Sequence, residues 1–326
     1  MTYHRLTAYL QECTAFDNPL LVAGHPATDT DAAISSLFEA WRLTMTGTPA
    51  IPVLQGALSR ETAFLLGDLR FPTLSQPRGK WVLTDHHDAA AYDGEVVAII
   101  DHHPVSPAEN LAEIDVCIRP VGAATTIVVQ RIRHCGIAID AACARILLGA
   151  VLLDTEGLSP HKARAEDVEA ATWLSALCGA EVAPFYEELK EQLLAETDVT
   201  VLYERDFRAY TAADGTPMMG FAILKVRRDH MPDRAEIRHR LAADAAACGY
   251  AATVAKIVQY APDDSREEYY LAAGPAADSV LTEVLTHSGA GAVRTAPDEV
   301  YLPNSCFHWG RKYYAVKLVE ILQKKE

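Results

Sequence analysis

Residues 81–104 read WVLTDHHDAAAYDGEVVAIIDHHP, and this stretch decides the fold. Two short apolar runs, Trp81–Thr84 and Val96–Ile100, have the length and composition of buried strands. Each run ends directly in an Asp-His-His triplet, and the two triplets lie 16 residues apart. In an open parallel sheet, ligands bind outside the carboxyl ends of the strands. We therefore predict a parallel sheet with a polar site at the edge where these two strands end.

The same alternation of strand and helix extends to both sides of this stretch. Leu20–Ala23 has a strand-like composition, and an amphipathic helix follows it with apolar residues at 34, 37, 38 and 41. One further strand is predicted at Ile51–Leu54, and helices are predicted at 123–134, 142–153 and 166–177. This order is typical of an α/β domain whose parallel sheet is covered by helices on both faces.

The pattern restarts in the second half of the chain. A charged, helix-prone segment near 180–205 is interpreted as a connecting helix. Beyond it, a hairpin is predicted from Phe207–Thr211 and Met218–Val226, followed by further strands and helices and a closing helix at 311–324. We predict an N-terminal domain at 1–188, a linker helix at 189–204 and a smaller C-terminal α/β domain at 205–326.

Composition excludes several classes of protein. The 326 residues include 44 acids and 29 bases, and a net charge of -15 argues against a protein that coats nucleic acid. Half of the residues are hydrophobic, which argues against disorder. No apolar run is long enough for a transmembrane helix, the start lacks a signal-peptide pattern, and the seven cysteines form no C-x-x-C pair. We expect a cytoplasmic protein that binds neither nucleic acid nor membrane.

Two more polar clusters follow predicted strands or helices. GHPATDTDA at 24–32 contains His25, Asp29 and Asp31, although Asp29 could simply cap the helix that follows. LLDTEG at 152–157 places Asp154 at the end of an apolar run, where an unpaired carboxylate would be costly to bury. A bound metal or a helix N-terminus would explain Asp154.

Carboxylates and imidazoles together suit Mn, Fe, Co or Zn better than Ca. Four carboxylates and two or more histidines are enough for two metals, with one carboxylate bridging them. Two metals about 3.5–4 Å apart can polarise a bridging water to hydroxide and clamp a phosphoryl group for in-line displacement. Such chemistry also needs cations for the remaining phosphate oxygens. The candidates are Lys190, Arg311 and Lys312, although the residues by themselves favour a solvated surface charge at each position.

The motifs GHPATDTDA, TDHHD, DHHP and LLDTEGLSP closely resemble those of the DHH phosphoesterase superfamily. Their order and spacing are most similar to family II inorganic pyrophosphatases, which have a DHH–DHHA2 architecture. The resemblance spans most of residues 18–180 and is weaker beyond, where GRK at 310–312 resembles a substrate motif. It implies a DHH catalytic domain, a DHHA2-like substrate-binding domain, and hydrolysis of diphosphate to two phosphates.

The resemblance also implies two sets of metal ligands. The first metal would be bound by His25, Asp29 and Asp85. The second would be bound by Asp31, Asp85, His102 and Asp154, with Asp85 bridging. The preferred ions would be Mn²⁺ or Co²⁺, and Mg²⁺ would arrive with the substrate.

Further residues take substrate-binding roles by the same resemblance. His103 would contact the phosphate or support the leaving group, and Asp101 would orient His102. The phosphates of a small anionic substrate would be clamped by Lys190, Arg311 and Lys312. An edge strand of the first domain could pair two chains into a homodimer, as in relatives.

Several departures leave alternative functions open. PATD at 26–29, Pro104 and Tyr313 differ from typical pyrophosphatases, and the leading helix at 2–14 is shared with exopolyphosphatase-like relatives. An exopolyphosphatase acting on short polyphosphates is therefore the main alternative. A phosphodiesterase of oligonucleotides or cyclic dinucleotides would need a G-G-G-H loop, whereas residues 288–293 read SGAGAV. A partner-binding scaffold that has lost activity is disfavoured because every metal-ligand position is filled.

Overall fold

The computed structural model describes residues 2–75, 77–92, 94–105, 114–212, 214–261, 263, 265–288 and 291–303. The chain divides into two compact units, Met1–Gln192 and Leu193–Glu326. The closing helix predicted at 311–324 lies outside the described residues. Within the described residues, no helix combines the length and the apolar character needed to cross a membrane.

The first unit is built on a five-stranded parallel sheet with the order β2-β1-β3-β4-β5. Its strands are β1 (Leu20–Ala23), β2 (Ala50–Val53), β3 (Trp81–Thr84), β4 (Val96–Asp101) and β5 (Asp115–Ile118). Every residue of β2 and β3 is buried. Because successive side chains point to opposite faces, both faces of this sheet are covered, as predicted.

Among the described residues, seven α-helices belong to the first unit or begin in it. They are α1 (Thr2–Glu12), α2 (Thr30–Met45), α3 (Arg60–Leu66), α4 (Ala124–His134), α5 (Ala141–Asp154), α6 (Ala165–Cys178) and α7 (Val182–Leu194). Helix α2 is buried from Thr30 to Arg42 because it contacts β1 and β2 as well as α4 and α5. This central position explains why its sequence is apolar on more than one side.

The prediction of a single linker helix at 189–204 is wrong. Helix α7 ends at Leu194, and a separate helix α8 spans Val199–Arg205. The Asp198 side chain accepts hydrogen bonds from Thr200 N at 2.8 Å and Val201 N at 3.2 Å. This capping begins a new helix where the sequence pattern predicts a continuous one.

The second unit contains a six-stranded mixed sheet with the order β10-β11-β9-β8-β7-β6. Its strands are β6 (Arg208–Thr211), β7 (Pro217–Arg227), β8 (Ala252–Tyr260), β9 (Arg266–Ala273), β10 (Val293–Ala296) and β11 (Glu299–Leu302). Strands β7 and β8 are parallel and the other neighbours are antiparallel, so the predicted hairpin of β6 and β7 is confirmed. Two further helices are α9 (Arg234–Cys248) and α10 (Ala277–His287).

Candidate metal centre

The polar motifs meet where the strand order of the first sheet reverses. Strand β1 is followed by β2 on one side and has β3 on the other, which makes the gap between β1 and β3 a topological switch point. Such crevices are the usual ligand sites of open parallel sheets. His25 follows β1, Asp85 follows β3, and Asp101 ends β4. The structure thus brings the predicted motifs to one edge of the sheet.

The first cluster consists of His25, Asp29 and Asp85. His25 Nε2 lies 3.3 Å from Asp29 Oδ2 and 3.3 Å from Asp85 Oδ2. Gly24 permits the tight loop between β1 and α2, because a Cβ at this position would lie 2.5 Å from Ala32 O. One oxygen atom or nitrogen atom from each of the three residues could therefore contact the same ion.

The contacts of Asp29 are compatible with both roles weighed for it from the sequence, a helix cap and a metal ligand. Its Oδ1 accepts a hydrogen bond from Ala32 N at 3.0 Å, which caps helix α2. Its Oδ2 faces His25. Capping is thus compatible with a metal ligand, because each function uses a different carboxylate oxygen.

The second cluster consists of Asp31, His102 and Asp154. His102 Nε2 lies 3.9 Å from Asp31 Oδ2 and 3.5 Å from Asp154 Oδ2. The same nitrogen lies 3.1 Å from Asp85 Oδ1. Asp85 therefore directs one oxygen at each cluster, which is the arrangement that a bridging carboxylate requires.

The ring of His102 is held in the orientation that a metal ligand needs. Its Nδ1 lies 3.1 Å from Val121 O, so the Nδ1–H group donates to that carbonyl. This hydrogen bond leaves Nε2 facing the three carboxylates of Asp31, Asp85 and Asp154. Histidines that bind metals are commonly oriented by a hydrogen bond of this kind.

Asp31 is buried against the first turn of α4. Its Oδ2 accepts from Ala124 N at 2.6 Å and its Oδ1 accepts from Thr125 N at 2.8 Å. The positive end of the helix dipole favours a carboxylate here. Even so, burial and the charges of Asp85 and Asp154 raise the pKa of Asp31 well above its ordinary value.

The electrostatics of the six residues favour bound cations. Burial raises the pKa of Asp154, whereas hydrogen bonds from His102 and His25 outweigh burial and hold the pKa of Asp85 well below its ordinary value. Burial lowers the pKa of His25, but Asp29 and Asp85 outweigh it and raise that pKa to about 10. Four carboxylates and two imidazoles thus form a donor set that suits Mn²⁺ or Co²⁺.

Asp101 organises the loop after β4. Its Oδ1 accepts from the backbone N–H groups of His102 at 2.7 Å and His103 at 3.2 Å. The same oxygen lies 2.9 Å from His103 Nδ1, and Oδ2 pairs with the ring of His87. Asp101 was predicted to orient His102, but it contacts only the backbone N–H of that residue, and the rings that it contacts are those of His103 and His87.

His103 lies at the margin of the two clusters. Its Nδ1 is 3.7 Å from Asp85 Oδ1, and its side chain is 34% exposed. The predicted contact of His103 with a substrate phosphate stays a prediction.

Of the three cationic residues predicted to bind phosphate, the structure describes Lys190. Lys190 is buried in α7, where its Nζ lies 2.5 Å from Glu187 Oε2 and 5.7 Å from the centre of the Tyr186 ring. The structure therefore gives Lys190 a carboxylate partner within its own helix, and a role with phosphate stays a prediction. Arg311 and Lys312 lie outside the described residues.

Tyr92 is a supporting residue that the sequence analysis missed. Its hydroxyl lies 2.8 Å from His86 Nε2 and donates to Gly24 O at 3.2 Å. The Trp81 and Tyr92 rings lie 4.9 Å apart. Tyr92 thereby connects the loop after β3 with the loop after β1. Its position in a stretch of small residues carries no periodic signal that could have identified it.

Comparisons with known proteins agree with the motifs. No protein-family model matches the chain. A probable manganese-dependent inorganic pyrophosphatase from Brevibacillus brevis is 31% identical over 176 residues, covering 51% of this chain and 57% of that protein. A probable manganese-dependent inorganic pyrophosphatase from Deinococcus radiodurans is 27% identical over 208 residues, covering 60% of this chain and 66% of that protein.

A solved structure shows the same fold. The putative family II inorganic pyrophosphatase of Methanococcus jannaschii aligns with a TM-score of 0.74 and 20% identity, covering 94% of this chain and 99% of that chain. The chain covers 57% of the length of the first two curated relatives that it matches. The predicted α/β fold is confirmed by the solved structure, and the curated matches show a resemblance to probable manganese-dependent inorganic pyrophosphatases over about half of the chain.

Proposed function

We propose that the chain is a metal-dependent hydrolase of phosphoanhydride bonds that converts diphosphate to two phosphates. The observation that carries this proposal is the pair of acid-histidine clusters that share Asp85. It is supported by the curated relatives, which are named probable manganese-dependent inorganic pyrophosphatases. The inference rests on the site, because a fold alone does not determine a function.

In this proposal, the six clustered residues hold two divalent metals. The first ion is held by His25, Asp29 and Asp85, and the second by Asp31, Asp85, His102 and Asp154. Bound Mn²⁺ or Co²⁺ ions would activate water and neutralise phosphoryl oxygens, and Mg²⁺ would accompany the substrate. The protein contributes a fixed donor set: α2 and α4 hold Asp31, and Val121 holds the His102 ring.

Substrate contacts come from residues around the clusters. Asp101 holds His103 at Nδ1, which leaves Nε2 for a phosphoryl oxygen or the leaving phosphate. Positive charge for the two phosphate groups would come from Lys190, Arg311 and Lys312. For Lys190, this role requires exchange of the Glu187 carboxylate for a substrate phosphate.

The proposal is tested by phosphate release from diphosphate, tripolyphosphate and long polyphosphate, each with Mn²⁺, Co²⁺ and Mg²⁺. We expect diphosphate to react fastest, with Mn²⁺ or Co²⁺ required in the protein. Faster release from tripolyphosphate would instead support the exopolyphosphatase alternative. Hydrolysis of a dinucleotide without action on diphosphate would support a phosphodiesterase. A metal-loaded protein inert towards all of these substrates would contradict the proposed enzyme class.

We also propose a homodimer that forms through β5 and a cytoplasmic location. Strand β5 is an edge of the first sheet among the described residues, and Val116 is 38% exposed on it. Unpaired edge strands are the usual sites of strand pairing between chains. The six cysteines among the described residues are free thiols, which is typical of a reducing compartment.

A further inference from the structure

Asp167 is a fully buried acid outside the two clusters. It lies in the first turn of α6 and is 0% exposed. Its Oδ2 accepts hydrogen bonds from Gly122 N at 2.8 Å and Arg164 N at 2.7 Å, and its Oδ1 accepts from Thr126 Oγ1 at 2.6 Å. The bond to Arg164 N caps α6, as an acid at this position often does. The other two bonds attach α6 to residues 121–126, which we call the α4 entry turn.

The α4 entry turn forms hydrogen bonds with two residues of the second cluster. Val121 O accepts from His102 Nδ1 at 3.1 Å and so sets the direction of the ring. Ala124 N and Thr125 N donate to the two oxygens of Asp31. A shift of this turn would therefore move both His102 and Asp31.

The residue that follows Asp154, the third member of the second cluster, also packs against this turn. A Cβ on Gly122 would lie 2.6 Å from Thr155 Cγ2 and 2.8 Å from Asp167 Oδ2. Thr155 directly follows Asp154 and is fully buried. The close approach at Gly122 thus connects the backbone beside Asp154 with the same turn.

We propose that Asp167 is a positioning residue for the second metal of the proposed centre, acting through the α4 entry turn. This inference rests on the proposed function. It predicts an asymmetry, because His25 and Asp29 of the first cluster lie in the loop between β1 and α2. The contacts of Asp167 do not extend to that loop. Loss of its contacts should weaken the second metal and spare the first.

The test is calorimetric titration of the metal-free full-length protein with Mn²⁺. Thr126→Val keeps the shape of the side chain and the capping of α6, but removes the hydrogen bond to Asp167. We expect one of two binding events to weaken about tenfold, the lower end of the effect of removing a residue that supports a ligand. The other event should stay within about twofold of the wild type, and thermal unfolding should show a folded protein.

Thr253→Val is the matched control. Thr253 is another fully buried threonine, and its Oγ1 donates to Leu241 O at 2.7 Å in the second unit. Its loss removes a comparable hydrogen bond, so we expect lower thermal stability with both Mn²⁺ affinities unchanged.

Two substitutions at Asp167 separate positioning from general stability. In Asp167→Asn, the amide oxygen can accept from Gly122 N and Arg164 N while the amide group donates to Thr126 Oγ1. We expect this variant to retain both Mn²⁺ sites. Asp167→Ala removes all three hydrogen bonds, so we expect it to lose affinity at the same site as Thr126→Val.

The outcomes distinguish this inference from the proposed function. Wild-type affinity for both Mn²⁺ ions in folded Thr126→Val and Asp167→Ala would overturn the role of Asp167. Equal weakening of both ions would also overturn it. Wild-type protein that binds two Mn²⁺ ions but does not hydrolyse diphosphate would overturn the proposed function and leave the positioning role standing. Wild-type protein that binds no Mn²⁺ would overturn both.

Discussion

At the scale of single residues, the candidate centre depends most on Asp85. Its backbone has φ +62°, a left-handed conformation that Asp and Asn tolerate better than other non-glycine residues. Its N–H donates to Ile100 O at 2.9 Å, and it is 2% exposed. This backbone conformation, together with His25 and His102 on either side, is what makes one carboxylate available to both clusters.

Asp85→Asn should therefore impair both metals together. Asn tolerates the left-handed conformation and preserves side-chain size, so the fold should be retained. We expect Mn²⁺ affinity at both sites to fall, and diphosphate hydrolysis to fall more than about 100-fold, beyond the usual effect of removing an outer supporting residue. Titration with Mn²⁺ and phosphate release measure the two effects. Asp68→Asn, at an exposed position, is the charge-matched control. Wild-type turnover in Asp85→Asn would remove the bridging role.

Metal binding should release protons. The pKa of His25 is raised to about 10 and that of His102 to about 11, because the neighbouring carboxylates outweigh burial. Without metal, both rings are thus protonated at pH 7, whereas a metal ligand must be neutral imidazole. Protons and metal compete, so Mn²⁺ affinity should rise with pH, about tenfold per pH unit for each proton displaced. Calorimetry between pH 6 and 8, in two buffers of different ionisation enthalpy, measures the proton count. Binding heats that are independent of the buffer would contradict this expectation.

At the scale of elements, the junctions between strands and helices position the centre. Helix α2 begins at Thr30, seven residues after β1 ends at Ala23, and the intervening loop carries His25 and Asp29. Gly24 makes this short connection possible, because its lack of a side chain lets the loop approach Ala32 O.

Gly24→Ala should therefore disturb both stability and the first cluster. The added Cβ would meet backbone at 2.5 Å, and we expect a loss of about 2–3 kcal/mol, as for other overpacked positions. Gly179→Ala is the comparison, since Gly179 has φ +69° but open space around its Cβ position. It should cost about 1 kcal/mol for the left-handed conformation alone. Urea unfolding measures the free energy of unfolding of both variants. Titration with Mn²⁺ should show weaker binding in Gly24→Ala and unchanged binding in Gly179→Ala. Equal metal affinity in the two variants would contradict the account.

Elements with a continuous apolar run or a helical apolar period were predicted well, whereas several elements with neither pattern were missed. Strands β1 and β3 are short apolar segments with nearly every residue buried, which is a local signal. Strand β10, by contrast, alternates between exposed and half-buried residues, and it was missed. Strand β5 and helix α3 were also missed, because neighbouring elements rather than a long apolar pattern stabilise them.

At the scale of the whole molecule, each unit has its own hydrophobic core. The first core surrounds the parallel sheet, with Trp41 and Phe38 among its largest buried side chains. In the second unit, Phe221 and Tyr270 lie in the core beside α10, and Leu224 and Ile257 belong to a separate cluster. Because the candidate ligands all come from the first unit, we expect its fold to determine metal binding.

The proposed homodimer makes a prediction at this scale. Val116→Lys places a charge on the edge strand β5, and charged residues on an edge oppose pairing between chains. We expect light scattering to give a dimer mass for the wild type and a monomer mass for this variant. Val201→Lys, at an exposed valine of α8, should remain dimeric. A wild-type protein that is monomeric at micromolar concentration would contradict the proposed dimer.

The sequence by itself determined the donor set of the candidate centre and the type of sheet that carries it. An apolar strand followed at once by acids and histidines is a local pattern, so the two Asp-His-His triplets could be identified as candidates without coordinates. The choice of Asp85 and His102 within them came from the resemblance to a known family. The grouping of the ligands depends instead on the strand order β2-β1-β3-β4-β5, which is a long-range property of the chain. For the same reason, only the tertiary structure showed that Val121 orients the His102 ring. It also showed that Asp167 accepts a hydrogen bond from Gly122 in the α4 entry turn. These contacts join residues far apart in sequence, and their geometry follows from how α4 and α6 pack.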